Sequence, residues 1–282
     1  MEEIETGSFV SGSFARVRPE ILRVVSWNIN RGLQLNAVID FLADSSADLI
    51  LLQEADIGAR RTQWRNTPRE IAQALQMNYV FGREFQELGQ GRANSPAHHG
   101  QATLSRFPIS HPRLLRFRRQ SGFWHPRWFI PPLQAFQRRL GARIALICEI
   151  GIHGRTLIAY NAHLESRGND ELRSNQLFEV LTEIRRNSRP TNVLMAGDFN
   201  FDVSRGPVAR LIADAQLDSP MTLLGGRPTA TTRRHGKCAA IDWILTSKSI
   251  SATSPEIQAA IGASDHYPIS IQIEFRGGRT EG

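Results

Sequence analysis

Four short apolar runs in this 282-residue chain each stop abruptly at a polar or ionisable side chain. VVSWN stops at Asn28, LILLQE at Glu54, LIAYNAH at Asn161 and His163, and NVLMAGDFN at Asp198 and Asn200. The runs are too short and too continuously apolar for amphipathic helices, and read as central strands buried on both faces. Burying a carboxylate costs several kcal/mol unless a cation or hydrogen bond compensates it, so repeating that cost at successive strand ends suits a ligand site better than a scaffold. Sites in α/β sheets gather outside strand ends, where loops converge. Two later pieces complete the set: Asp242 inside AIDWIL, and Asp265-His266 in ASDHYP.

Singly, each piece also has a structural reading. Asp198-Phe199-Asn200 suits an Asx-turn, Asn28 can end a strand, Glu54 can pair with an arginine, and His163 can be a satisfied core histidine.

Helical patterns separate the strands. Leu35, Val38, Ile39 and Leu42 share one face of a helix over 35–43, and Leu177, Val180, Leu181 and Ile184 share a face within 172–186. Thr67-Pro68-Arg69-Glu70 reads as a helix start with Thr67 as the cap. Residues 143–152 and 155–163, joined through His153-Gly154, read as a hairpin. Further strands are expected at 100–106, 240–245 and 267–275. The organisation expected is a flexible N-terminal arm over 1–18, one α/β domain over 19–276, and a tail over 277–282.

The formal charge of +7 is concentrated in one place. Residues 111–140 hold seven arginines (113, 116, 118, 119, 127, 138 and 139) and no acid, so the rest of the chain is neutral. Phe117, Phe123, Trp124, Trp128, Phe129 and Phe136 lie among them. This basic-aromatic insertion suits a phosphate backbone with stacked bases. It suits an anionic membrane interface equally, and a structural loop with core-filling aromatics is a third reading. No apolar run approaches the roughly 18–20 residues that span a bilayer. The acidic, polar start lacks the features of a secretory signal, and Cys148 and Cys238 supply neither a disulfide framework nor a zinc motif. A cytoplasmic location is the expectation.

Taken in order, WN, QE, H, GDFN, IDW and SDH resemble the motifs of the endonuclease/exonuclease/phosphatase superfamily, and HGQATLSRFPI (99–109) resembles its G-x-A-x-L-S-R-x-P-I strand. The resemblance runs from about Val24 to Ile273. It implies a deoxyribonuclease I-like four-layer α/β sandwich: two packed mixed β-sheets flanked by helices, with the site at one rim. It further implies a divalent-metal-dependent phosphodiesterase. Glu54 would be the main ligand of Mg²⁺, or Mn²⁺ in its place, with Asn28 and Asp265 contributing. Oxygen donors without thiolates suit such a hard cation. Asp198 would orient or deprotonate the attacking water, and Asn200 would hold water or a phosphate oxygen. His266, braced by Asp242, would meet the scissile phosphate, and His163 would bind another oxygen or assist the leaving group. Asn161 would brace the His163 loop or bind substrate; Arg31 and His99 are candidate substrate-binding residues and, with Arg106 and Arg233-Arg234-His235, read either as phosphate readers or as surface or structural residues.

Exonuclease III-like repair enzymes usually carry Tyr where His163 stands, and often Arg where Ala240 stands, which argues against abasic-site repair. Nucleic acid is the leading partner and substrate. A sphingomyelinase-like phospholipid phosphodiesterase on an anionic or sphingolipid surface, or an inositol-phosphate phosphatase, is the alternative. No protein partner is inferable.

Overall fold

A computed structural model describes residues 3–11, 20–122, 129–131, 133–186, 192–224, 231–232 and 239–276. Its strands form two mixed sheets. The first has the spatial order β1 (Ile4–Ser8), β4 (Asn78–Arg92), β5 (Ser95–Ser105), β3 (Leu49–Ile57), β2 (Leu22–Arg31), β14 (Ile269–Phe275) and β13 (Ile250–Ile257), with β7 (Arg139–Gly141) also paired to β4. The second runs β11 (Leu217–Asp218), β12 (Asp242–Ser247), β10 (Asn192–Asp198), β9 (Arg155–His163), β8 (Ile144–Ile152) and β6 (Ile109–Arg116).

Each sheet holds a parallel pair joined by a helix, as parallel pairing requires a crossover. Strands β2 and β3 flank α1 (Leu35–Asp44), while β9 and β10 flank α3 (Asp170–Arg186). The carboxyl ends of the two pairs deliver Asn28 and Glu54 from one sheet, His163 and Asp198 from the other.

Packing produces four layers. Leu22, Val24, Leu49 and Leu51 share a core with Leu146, Tyr160 and Leu194 of the second sheet. On the outer face of the first sheet, Val25, Trp27, Ile50 and Leu52 pack with Leu35, Val38 and Leu42 of α1 and Ile71 of α2 (Thr67–Ala74). The helix α3 buries Leu177, Val180, Leu181 and Ile184, the face expected from their spacing, and α4 (Gly206–Asp214) adds Ile212. The His153-Gly154 hairpin also forms, Ile152 pairing with Arg155, and both linking residues have positive φ, as a two-residue turn demands.

Three expectations are corrected. Within the N-terminal arm over 1–18, Ile4–Ser8 is an edge strand on β4. Asn66, not Thr67, caps α2: its side chain accepts from Arg69 N at 3.1 Å, while the Thr67 hydroxyl bonds the backbone of Asp56. The segment 111–140 is no free excursion at its ends. It begins inside β6 and finishes in β7; Phe117 is core, and Arg113, Arg116 and Arg139 pair with Glu183, Glu3 and Glu87. Residues Phe123, Trp124, Arg127 and Trp128, like 233–235 and 277–282, lie outside the described residues.

Candidate active site

Backbone irregularity aims the first acid. Ile50, Leu52, Ala55 and Ile57 all face the helices, so the alternation of β3 slips by one residue between Leu52 and Ala55. The pairing of β3 with β5 shifts register at the same place, and Glu54 sits there in the left-handed region at φ 55. A bulge of this kind re-aims a side chain at a backbone cost of about 1–2 kcal/mol. Glu54 is thereby turned toward cations. Burial alone would raise its carboxyl, but Arg31, then His99, His163 and Arg143, hold it well below the usual carboxylate range. The Arg31 guanidinium is 3.4 Å away.

Asp198 is the hub. Asn28 Nδ2 donates to its Oδ2 at 3.0 Å, and Asn200 N donates to its Oδ1 at 3.0 Å. The latter is the Asx-turn anticipated for Asp-Phe-Asn, so the turn and the site use the same residues. Asn200 adopts φ 59 and donates its amide to Leu164 O. His163 Nε2 and His266 Nε2 each lie 3.6 Å from Asp198 Oδ2. Gly197 lets the strands meet: a Cβ there would stand 1.9 Å from Ala162 O.

His266 Nδ1 is 2.9 Å from Asp242 Oδ2, which also accepts from Thr231 Oγ1 at 2.6 Å. Burial lowers the imidazole's affinity for a proton, but Asp242 and then Asp198 overcome this and push it up to about 10. Burial raises Asp242 in turn, against the pull of His266. With two carboxylates facing it, the imidazole carries the pair's proton at neutral pH. Trp27 Nε1 donates to His266 O, and Ser264 Oγ donates to Asn28 O while accepting from His266 N. The loop bearing His266 is thus tied to the strand bearing Asn28.

The second histidine has its own buried supports. Arg143 Nη1 lies against the His163 ring, 2.9 Å from both of its nitrogens, of which a neutral imidazole offers only one as an acceptor. Glu84 Oε1 accepts from Arg143 at 2.7 Å, and its Oε2 is 3.5 Å from His163 Nδ1. Burial would raise Glu84, yet Arg143 and His163 bring it down to about 2. Glu84 and Arg143 escaped sequence reading because neither stands in a motif. A buried charge inside the alternation of NYVFGREF and at the head of RIALICEI was the available signal.

The structure therefore gathers Asn28, Glu54, His163, Asp198, Asn200, Asp242 and His266, with Arg31 at the mouth. Asp265 is half-buried, its Oδ1 3.4 Å from Ser264 Oγ. Asn161 is fully buried. Its amide donates to Leu52 O and Ala102 O and accepts from Gln53, which bolts one sheet to the other. His99 is also buried, with Nδ1 2.8 Å from Asp56 Oδ1, so it acts behind Glu54. Arg106 bonds Ala47 O and pairs with Asp48, at the opposite end of β3.

Oxygen and imidazole atoms of Asp198, Asp242 and His266 lie within 4.8 Å of one another. His266 is hydrogen-bonded to Asp242, while Asp198 accepts from Asn28 and Asn200 and stands 3.6 Å from His266 Nε2, so these groups already have protein partners. Glu54, held ionised, is the oxygen donor that suits a hard divalent cation, and Asn28 lies on the adjacent strand, paired with Gln53.

A model of the Endonuclease/Exonuclease/phosphatase family matches residues 25–266. The chain is 27% identical over 261 residues to the uncharacterized protein YbhP of Escherichia coli K12, covering 87% of this chain and 90% of that one. In fold it is similar to Caenorhabditis elegans TDP2 (TM-score 0.61, 19% identity, 92% of this chain and 76% of that one). It is also similar to the human Nocturnin catalytic domain (TM-score 0.65, 19% identity, 92% and 95%). Among the described residues no helix is long and apolar enough to cross a membrane. The chain belongs to the Endonuclease/Exonuclease/phosphatase family.

Proposed function

We propose that this chain is a divalent-metal-dependent phosphodiesterase that hydrolyses nucleic-acid phosphodiester bonds with an activated water. The observation that carries the reading is the convergence of His163 and His266 on one oxygen of Asp198, beside a Glu54 that burial cannot protonate. Phosphoryl transfer needs positioning and charge neutralisation more than covalent chemistry. Asp198, fixed by Asn28 and Asn200, orients the water and takes its proton. The His266 imidazolium, braced by Asp242, faces the developing charge on the phosphate. His163, with Arg143 against its ring, binds a second phosphate oxygen. Glu54 and Asn28, with Asp265 nearby, would hold Mg²⁺ or Mn²⁺, which when bound neutralises phosphate charge as a Lewis acid. The similar Nocturnin domain carries a bound sulfate anion, a tetrahedral oxyanion like phosphate.

A second reading, phospholipid cleavage at a membrane surface, draws on Phe129, Leu133 and Phe136, which are 61%, 57% and 61% exposed. Leu133 and Phe136 share a single turn, Phe136 N donating to Leu133 O. A screen with Mg²⁺ over single- and double-stranded DNA, RNA, sphingomyelin vesicles and inositol phosphates tests both. Turnover of DNA or RNA above the other classes is expected; turnover confined to sphingomyelin or inositol phosphates overturns the nuclease assignment.

A further inference from the structure

A second feature stands at the end of β3 that carries Glu54. The loop over 58–66 closes on itself: Gly58 N donates to Arg65 O at 2.9 Å, Gln63 N to Arg60 O at 2.9 Å, and Trp64 N to Ala59 O at 2.8 Å. These bonds require Gln63 and Trp64 both to adopt left-handed backbone, at φ 57 and 58. Two consecutive non-glycine residues in that region are costly, and such strain gathers at ligand-handling sites. Its result here is to hold Trp64 at the surface, 42% exposed. Arg92, from the tip of the β4–β5 hairpin, lies over the indole ring with its guanidinium carbon 4.6 Å from the centroid.

Arg61 fastens this pair to the site. Its backbone N–H donates to Gln90 of the hairpin, and its guanidinium bonds Asp56 and Glu87. Asp56 also holds His99, whose charge acts on Glu54. Around Trp64, Arg61 is paired with Asp56 and Glu87 and Arg65 with Glu70, while Arg60 and Arg92 are exposed.

We propose that Trp64 and Arg92 form a stacking platform for an unpaired nucleobase next to the scissile phosphodiester, with Arg60 and Arg92 facing the adjoining phosphate. This rests on the nuclease reading above and names its substrate as a strand with an unstacked base. An indole backed on one face by a guanidinium offers its other face to a base, with a positive charge close by for the phosphate that follows. A membrane-inserting element presents several apolar side chains together on a moving segment, whereas this turn presents one aromatic on an internally bonded loop.

The test is binding of a fluorescein-labelled single strand of about 12 nucleotides, with a hydrolysis-resistant phosphorothioate backbone, in Mg²⁺. Trp64→Ala is expected to raise Kd about tenfold or more, and Trp64→Phe to restore most of the affinity. On a fully abasic strand, Trp64→Ala and wild type should bind alike, because the indole has no base to stack on. Arg92→Gln should weaken binding and reduce its salt dependence. The platform is overturned if Trp64→Ala binds within about twofold of wild type, or if its defect persists on the abasic strand. Wild-type protein that cuts the natural strand while Trp64→Ala binds normally rejects the platform alone. Wild-type protein that neither binds nor cuts nucleic acid, yet hydrolyses another phosphodiester, rejects the nuclease reading and the platform with it.

Discussion

At the residue scale, the site is a set of charges whose burial is compensated in pairs. His266 is cationic because Asp242 and Asp198 face it. Its raised value means the cation persists below about pH 10 and is lost above it. Removing the Asp242 charge lowers that value, so Asp242→Asn should move the alkaline limb of the kcat/KM profile to lower pH. An unmoved limb would show that activity does not depend on this imidazolium. Glu84 behaves oppositely: its folded value falls from 4.5 to about 2, so its contribution to stability is full above pH 4.5 and is lost as pH falls through about 2. Breaking the buried pair by Glu84→Ala should cost about 3–5 kcal/mol in urea unfolding at neutral pH, a penalty that shrinks toward pH 2. The motif residues were legible because polar groups closing apolar strands stand out in a sequence. Glu84, Arg143, Ser264 and Thr231 were not, since their roles depend on which strands become neighbours.

At the element scale, two parallel pairs aim their carboxyl ends at each other, and small details set the spacing. Gly197→Ala places a methyl carbon against the Ala162 carbonyl at the step between His163 and Asp198. Such overpacking, added to an unfavourable φ of 150, should cost about 3 kcal/mol or more and lower Tm sharply. A variant as stable as wild type would contradict the close approach of β9 and β10. Asn161 makes the converse point. Asn161→Leu removes three buried hydrogen bonds, to Leu52 O, Ala102 O and from Gln53, at about 1 kcal/mol for each. Unfolding should register that loss, while kcat/KM per folded molecule stays within a few-fold; a collapse of turnover at full stability would return Asn161 to the substrate. Continuous apolar strands were readable in the sequence, as was the apolar face of α3. The long β4 was not, because Arg83, Glu84, Gln86 and Glu87 interrupt its apolar alternation. Tertiary partners in Arg143, Arg61 and Arg139 make those charges tolerable.

At the scale of the whole molecule, the surplus of arginine is not one basic surface. Arg113, Arg116 and Arg139 are spent on pairs that bind the ends of 111–140 to the sheets and α3. Around Trp64, Arg61 and Arg65 are likewise paired, with Asp56, Glu87 and Glu70, and Arg60 and Arg92 are exposed. Family membership and the four-layer architecture followed from motif order, while the pairing of these arginines did not, because it depends on which segments become neighbours. The central claim is that Asp198, between two histidines and beside an ionised Glu54, activates water for metal-dependent phosphodiester cleavage. It is tested most directly by hydrolysis of single-stranded DNA and RNA by purified wild type and Asp198→Ala, each with Mg²⁺ and with EDTA. Cleavage by wild type in Mg²⁺ alone, with Asp198→Ala reduced by at least about a hundredfold, is predicted. Cleavage by Asp198→Ala at the wild-type rate, or wild-type cleavage undiminished by EDTA, would contradict it.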